Sequence, residues 1–326
     1  MSKRVWVSWE THRRNQTTSK ALGAKLFELD YYKASSLMRY LRATITTVFL
    51  LVRERPSLIF VQNPSMLLAV LALQFGRLFR TSVIVDGHNA GLYPFDGKKY
   101  WANQLARHIM RSAALTIVTN SGLAEYVKKN GGRPAVLPDP LPTFIFKQRA
   151  TPLKGRVNIL FICTWASDEP YMEMMTAAAY LDKSICIYIT GNSKGRETAF
   201  GKPLPENIVL TGYVAEEEYV HLLHAVDIII DLTTRDNCLV CGAYEAIAVE
   251  KPLILSDTPA IREYFSHGVL YTDNTALDIA RQIHDCLERI EEIQNQVKQF
   301  KQDLITQWEC IRRDLQITIQ SLEKRV

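Results

Sequence analysis

The sequence predicts an α/β fold built as two successive domains, each around a parallel sheet, and three observations carry that expectation. Short β-rich apolar runs alternate with longer helical patterns along most of the chain, which is how repeated βα units read. The proline-rich stretch PDPLPTFIFKQRATPLKGR, residues 138–156, interrupts the alternation and marks a boundary. The alternation then restarts, and 326 residues suit two cores of roughly 150 residues each better than one. The expected division is residues 1–150 and 151–305, with a terminal helix at about 306–326 that can pack back on the first domain.

In the first half, strands are expected at 5–9, 58–62, 82–86, 115–119 and 135–137. Helices are expected around 18–28, 36–54, 65–78, 99–112 and 121–130, the last stopped by Asn130, Gly131 and Gly132. In the second half the strands fall at 158–163, 185–190, 208–211, 227–232, 252–255 and 269–271. The remainder is helical in pattern, first over 276–300 and then in a stretch containing Trp308. A crevice between two such domains is the expected ligand site.

Composition narrows the classes. With 47% hydrophobic and 22% charged residues, disorder and coiled coil are poor readings. Charge is uneven: residues 1–150 hold 22 Lys and Arg against 8 Asp and Glu, a net of +14, while the remainder holds 17 against 26, a net of −9. A basic half facing a phosphate or an acidic lipid surface fits this imbalance, as does a merely solvated surface. The stacking-aromatic pattern of nucleic-acid modules is missing, so no nucleic-acid partner is expected. All six cysteines lie in the second half, and the opening MSKRVWVSW enters a strand pattern directly, which suggests a reducing, cytoplasmic setting. Cys238 and Cys241 have C-x-x-C spacing but no second pair to complete a zinc site. The apolar runs 43–52 and 66–75 fall short of the roughly 18 residues needed to cross a bilayer. Buried core helices explain them; so do helices resting peripherally on an anionic membrane, given Arg53, Arg55, Arg77, Arg80, Arg107 and Arg111 nearby.

Four segments can carry chemistry. Residues 9–18, WETHRRNQTT, follow the first strand; His12, Arg13, Asn15 and Thr17 are candidates to grip hydroxyls or phosphate oxygens, although a solvated loop with Thr17 or Thr18 as helix cap reads equally simply. Asp86, Gly87, His88 and Asn89 follow the strand SVIV, the edge where α/β enzymes place reactive groups; His88 is the candidate base, with Asp86 to orient it. Asn63 follows another strand and would line the same edge. Residues 234–245, TRDNCLVCGAYE, lead from the strand DIIIDL into a helix, whose amide end can meet a diphosphate while Glu245 accepts from ribose hydroxyls. Lys194 and Arg196, in GNSKGR after the strand ICIYIT, can neutralise a leaving diphosphate or simply face water.

The blocks GYVAEEEYVHLLHAVDIIIDLTT and GAYEAIAVEKPLILSD resemble the C-terminal domain of GT-B glycosyltransferases, especially family 4. VQNPS, VDGHNAG and CTWASDEPY are also similar to the chitobiosyldiphosphodolichol beta-mannosyltransferase group. The resemblance covers about residues 5–290. It implies a GT-B fold with two Rossmann-like domains facing a cleft, and a hexosyltransferase that takes a UDP- or GDP-sugar donor without cofactor or metal. It implies a saccharide or polyprenyl-diphosphate-linked saccharide as acceptor, held by the first half, and donor contacts from Tyr213, Asn237, Cys238, Leu239 and Glu245. Two departures stand out: Asn237 occupies the place of the family's first donor-loop glutamate, and Thr164 to Glu169 stand where family members carry Arg and Lys. An epimerase or hydrolase of nucleotide sugars, or a catalytically silent nucleotide-sugar-binding subunit, fits the same fold.

Overall fold

The computed structural model describes residues 3–31, 35–146, 151–194 and 204–324. Two compact units share the chain: residues 1–140 with 307–326, and residues 141–306.

The first unit runs β1 (Arg4–Ser8), α1 (Arg13–Ala21), β2 (Lys25–Glu28), α2 (Ser36–Glu54), β3 (Leu58–Asn63), α3 (Met66–Phe79), β4 (Ser82–Gly87), α4 (Asn89–Leu92), α5 (Tyr100–Ser112), β5 (Leu115–Val118), α6 (Ser121–Lys129) and β6 (Pro134–Val136). Its six strands are all parallel, in the order β2-β1-β3-β4-β5-β6. Alternate residues of the buried strands feed two cores. Val5, Val7, Ile59, Val61, Val83 and Val85 pack with α2, α3 and α5 on one face. Trp6, Phe60, Ile84 and Ile117 face the other, with the Trp6 and Phe60 rings stacked at 5.2 Å.

The second unit runs β7 (Val157–Phe161), α7 (Tyr171–Ala177), β8 (Ile185–Thr190), β9 (Ile208–Gly212), α8 (Glu216–Ala225), β10 (Ile228–Asp231), α9 (Cys241–Ala248), β11 (Leu253–Ser256), α10 (Pro259–Tyr264), β12 (Val269–Thr272), α11 (Ala276–Glu288) and the start of α12 (Ile290–Glu323). Its parallel sheet has the order β12-β11-β10-β7-β8-β9, the doubly wound arrangement of dinucleotide folds. The end of α12 belongs to the first unit: Leu315, Ile319 and Leu322 join the Trp6 core. Glu323 takes two hydrogen bonds of 2.8 Å from Arg4, and Trp308 Nε1 donates to the Pro138 carbonyl at 3.0 Å.

Two expectations need correction. The helix at 18–28 ends at Ala21; Gly23 turns the chain at φ +67°, and Lys25–Glu28 forms the half-exposed edge strand beside β1. Polar ends on a four-residue strand hide the period-2 signal. The helical pattern at 276–300 breaks at Arg289, which caps α11. Ile279, Ile283, Cys286, Ile293, Val297, Phe300 and Leu304 are buried on both sides of that break with Ile290 packed against them, so apolar spacing runs through it unaltered.

Candidate functional site

Parallel sheets gather functional groups at the carboxyl ends of strands, above all where the strand order reverses. In the first unit that place lies between β1 and β3, and in the second between β7 and β10.

In the first unit, Gln62 on β3 and Asp86 on β4 are register partners, so their side chains emerge together. Asp86 is buried, and Arg14 on α1 grips its carboxylate with Nε at 3.0–3.1 Å and a terminal nitrogen at 2.8 Å. The same guanidinium reaches Asp139 at 2.5 Å and the Leu137 carbonyl at 3.1 Å. Burial works against the charge on Asp86, but Arg14 and then His88 outweigh it and hold the carboxyl well below its ordinary range. Burial likewise opposes the charge on Arg14, and Asp86 and Asp139 raise its pKa all the same. His88 Nε2 lies 3.1 Å from Asp86 and 3.3 Å from Gln62 Nε2. The Gln62 amide is oriented from behind, because its oxygen accepts from Ser8 and from Asn15. His88 Nε2 can donate to Asp86 or accept from the Gln62 amide nitrogen, not both; in the tautomer that donates to the ionised Asp86, Gln62 is a neighbour and not a partner, and His88 Nδ1 is an acceptor without a partner among the described residues.

The other residues singled out on this edge divide into buried and open ones. Asn15 is buried, and its amide joins Trp6, Glu10 and Gln62. Thr17 donates to the Arg13 carbonyl, and His12, rather than a threonine, caps α1 by accepting from Arg14 N at 3.2 Å. Arg13 and His12 are exposed, with the His12 ring 5.7 Å from that of His88. Asn63 and Asn89 each carry a buried side-chain oxygen without a hydrogen-bond partner among the described residues. Gly91 allows this close packing, since a Cβ there would lie 2.3 Å from the Asn63 carbonyl.

In the second unit the corresponding edge is acidic. Glu169 folds back over the loop after β7 and accepts the Thr164 and Ala166 amides at 2.9 Å each, the Thr164 hydroxyl at 2.8 Å and the Cys163 thiol at 3.3 Å. Trp165 is left-handed at φ +64°, which lets the Thr164 and Ala166 N–H groups converge on Glu169 while its own N–H donates to Cys163 Sγ at 3.2 Å. Asp168 accepts from Thr233 at 3.0 Å and pairs with Arg235 at 3.2 Å, which ties this loop to the one after β10. Asp231, at the end of β10, accepts from Gly242 N at 2.7 Å; a Cβ at Gly242 would lie 2.5 Å from that carboxyl. Burial, reinforced by Glu169, Glu245 and Asp168, pushes Asp231 well above the ordinary carboxylate range against the pull of that one N–H. The amide end of α9, expected to be open to a diphosphate, therefore has its Gly242 N–H engaged by an internal carboxyl.

Glu245 is buried one turn into α9 and accepts from Tyr219 at 2.5 Å. Burial and then Glu245 raise the Tyr219 phenol, keeping it a donor. Asn237, Cys238 and Leu239 are half-buried in the preceding loop, while Lys194 and Tyr213 are exposed. Arg196 lies outside the described residues. The six cysteines form no disulfide with one another, and among the described residues no group of three or more His, Cys, Asp and Glu is placed to hold a metal.

Sequence reasoning missed Arg14, Asp139, Glu169, Asp231 and Tyr219. For Arg14 a signal existed: it shares a face of α1 with buried Thr18, one turn on, whereas Arg13 points to solvent.

Residues 6–139 match the glycosyl transferase 4-like domain. No curated protein matches the chain. Among solved structures, sucrose-phosphate synthase from Thermosynechococcus elongatus is similar over 99% of this chain and 100% of its own, at 13% identity and a TM-score of 0.74. HepE from Anabaena, in complex with UDP and glucose, is similar over 98% and 100% at 13% identity, with a TM-score of 0.74. The fold is GT-B. A glycosyltransferase from Rickettsia africae shares this GT-B architecture over the whole of both chains, at 10% identity and a TM-score of 0.67.

Proposed function

We propose that the chain is a metal-independent glycosyltransferase that moves a hexose from a UDP- or GDP-linked donor to a saccharide. The second unit would hold the donor and the first the acceptor. The observation that carries this reading is the half-exposed His88 imidazole, bonded through Nε2 to buried Asp86 at the carboxyl edge of a parallel sheet. The match of residues 6–139 to the glycosyl transferase 4-like domain supports it, and so do the GT-B structures whose partners are UDP and glucose.

In this mechanism Asp86, kept ionised by Arg14, fixes the ring so that Nδ1 faces the acceptor. The acceptor hydroxyl gives its proton to Nδ1 as its oxygen bonds to the anomeric carbon, and the bond to the nucleoside diphosphate breaks. A base in that role suits inversion. Glu245, steadied by Tyr219, would accept from the ribose hydroxyls, with Asn237, Cys238, Leu239 and Tyr213 around the donor and Lys194 and Arg196 countering the leaving diphosphate. His12, Arg13, Thr17, Asn63 and Asn89 would line the acceptor, and Asn15 acts behind them by orienting Gln62. A polyprenyl-diphosphate-linked acceptor, used by a cytoplasmic protein at the inner face of a membrane, accords with the basic first unit and with the resemblance to the mannosyltransferase group.

A second reading, a nucleotide-sugar-binding subunit without transfer activity, draws on Glu169 and Asp231, whose carboxyls fill N–H groups that a diphosphate would use. A thermal-shift screen of nucleotide sugars followed by transfer to a saccharide panel separates the two. Transfer is expected, with His88→Ala slowing it by about 10²–10⁴-fold while the donor-induced shift persists. Donor binding without transfer would establish the second reading; wild-type turnover by His88→Ala would remove the base.

A further inference from the structure

The α2, α3 and α5 helices cover one face of the first sheet, and their outward side is unusually apolar for an exposed surface. On α2, Leu37, Leu41, Ile45, Val48, Phe49 and Val52 are all exposed, Leu37 by 82%, Phe49 by 64% and Ile45 by 60%. At 3.6 residues per turn these six side chains occupy about a third of the helix circumference. Ala43, Thr47, Leu50 and Leu51 take the opposite side and are buried. Leu78 and Phe79 on α3 and Tyr100 and Trp101 on α5 extend the apolar surface within the same layer.

The charges around it are mostly cationic, with exposed Asp96 beside Lys98 at 4.0 Å as the exception. Between Asp30 and Asp86 the only acidic residue is Glu54, and Glu54 is buried and paired with Lys3 and Lys25. Arg42 and Arg53 are exposed along one border of the stripe, Arg77 and Arg80 stand exposed beside Leu78 and Phe79, and Lys98 and Lys99 precede Tyr100. An apolar face edged mainly by cations complements an anionic bilayer: side chains enter the acyl boundary, cations meet lipid phosphates, and tryptophan and tyrosine sit at the interface. A helix able to span the bilayer is not needed for this, and among the described residues none is long and apolar enough to do so.

We propose that the α2 face, with the exposed ends of α3 and α5, docks the protein on an anionic membrane surface. The inner side of the same helix meets the candidate acceptor edge: Thr47 accepts from Trp9 Nε1 at 2.9 Å, and Trp9 lies three residues before His12. Docking would thus hold His12 and His88 near headgroup level. Only that last consequence rests on the glycosyl-transfer reading.

The test is sedimentation of the full chain with phosphatidylcholine vesicles, with and without phosphatidylglycerol. Binding should require the anionic lipid and weaken as salt rises. Leu41→Glu/Ile45→Glu/Phe49→Glu should weaken it by about a hundredfold or more, because three large side chains no longer leave water. Ile317→Glu, at an exposed apolar position on α12, should bind vesicles like the wild type. In the triple variant, an unchanged melting temperature and unchanged nucleotide-sugar binding would show that the fold and the donor site are intact. Equal vesicle binding by wild type and triple variant overturns the proposal, as does no binding by the wild type. A wild-type dimer in light scattering that the triple variant turns into a monomer also overturns it, by making a second copy the occupant. Transfer to a water-soluble acceptor reports on the catalytic reading separately.

Discussion

The carboxyl edges of the two sheets solve one problem in opposite ways. Both bring buried carboxyl groups to the carboxyl edge of a parallel sheet. In the first unit Asp86 is balanced by a full opposite charge, Arg14, with His88 as a second partner. In the second, Asp231 receives one backbone N–H and lies among Asp168, Glu169 and Glu245. A carboxyl matched by a buried guanidinium is held below its ordinary range, whereas one matched by a neutral donor among like charges is pushed above it. The first edge is thereby suited to orienting a base, while the second keeps Asp231 engaged with the Gly242 N–H.

The contrast is broken most forcefully at Arg14. Arg14→Met leaves the Asp86 carboxylate buried without its main counter-charge, and a loss of about 3–5 kcal/mol of stability is expected. Urea denaturation at neutral pH measures it. A loss below about 1 kcal/mol, the size of an exposed pair, would show that Asp86 does not depend on charge compensation. Adding Asp86→Asn should recover part of the loss, because the uncompensated charge is then gone.

A smaller effect is expected at Glu245, where the two edges differ in what they offer a ligand. Glu245→Gln removes the charge that receives the Tyr219 hydroxyl and would receive a ribose hydroxyl. Nucleotide-sugar binding by calorimetry should weaken by about 1.5–3 kcal/mol, while the first unit's network is untouched. Unchanged affinity would move the donor site away from α9.

Much of this architecture was legible in the sequence, for reasons that also explain what was hidden. The fully buried strands β1, β3 and β8, and β7 beyond its first residue, read as continuous β-rich runs, as strands covered on both faces must. The edge strand β2 is polar at both ends and did not. The pairing of His88 with Asp86 follows from their position just past a strand, which spacing reveals. Arg14 acts by folding back across the chain, onto residues 72 and 125 positions away, and no local pattern encodes such contacts; Glu169 folds over residues only three to six positions before it. Asp231 was visible only as the polar end of DIIIDL; its altered protonation depends on four carboxyls converging from separate segments, information that exists only in three dimensions.

Asp231 gives the finest test, because its pH dependence should run against that of Asp86. The folded-state pKa of Asp86 is lowered from 3.8, so its stabilising contribution is present above that value and is lost as pH falls through the folded-state pKa. The folded-state pKa of Asp231 is raised from 3.8. The folded protein then holds a proton that the unfolded chain releases, and stability conferred below 3.8 is lost as pH rises toward the folded-state value. One proton corresponds to a slope of at most about 1.4 kcal/mol per pH unit. Asn at position 231 keeps an oxygen for Gly242 N and cannot ionise. Asp231→Asn should therefore match the wild type near pH 4 and gain on it steadily as pH rises, read from urea midpoints across the series. Parallel curves would mean that Asp231 is ionised in the folded state, and the second edge would then need a cation to balance it, as the first does.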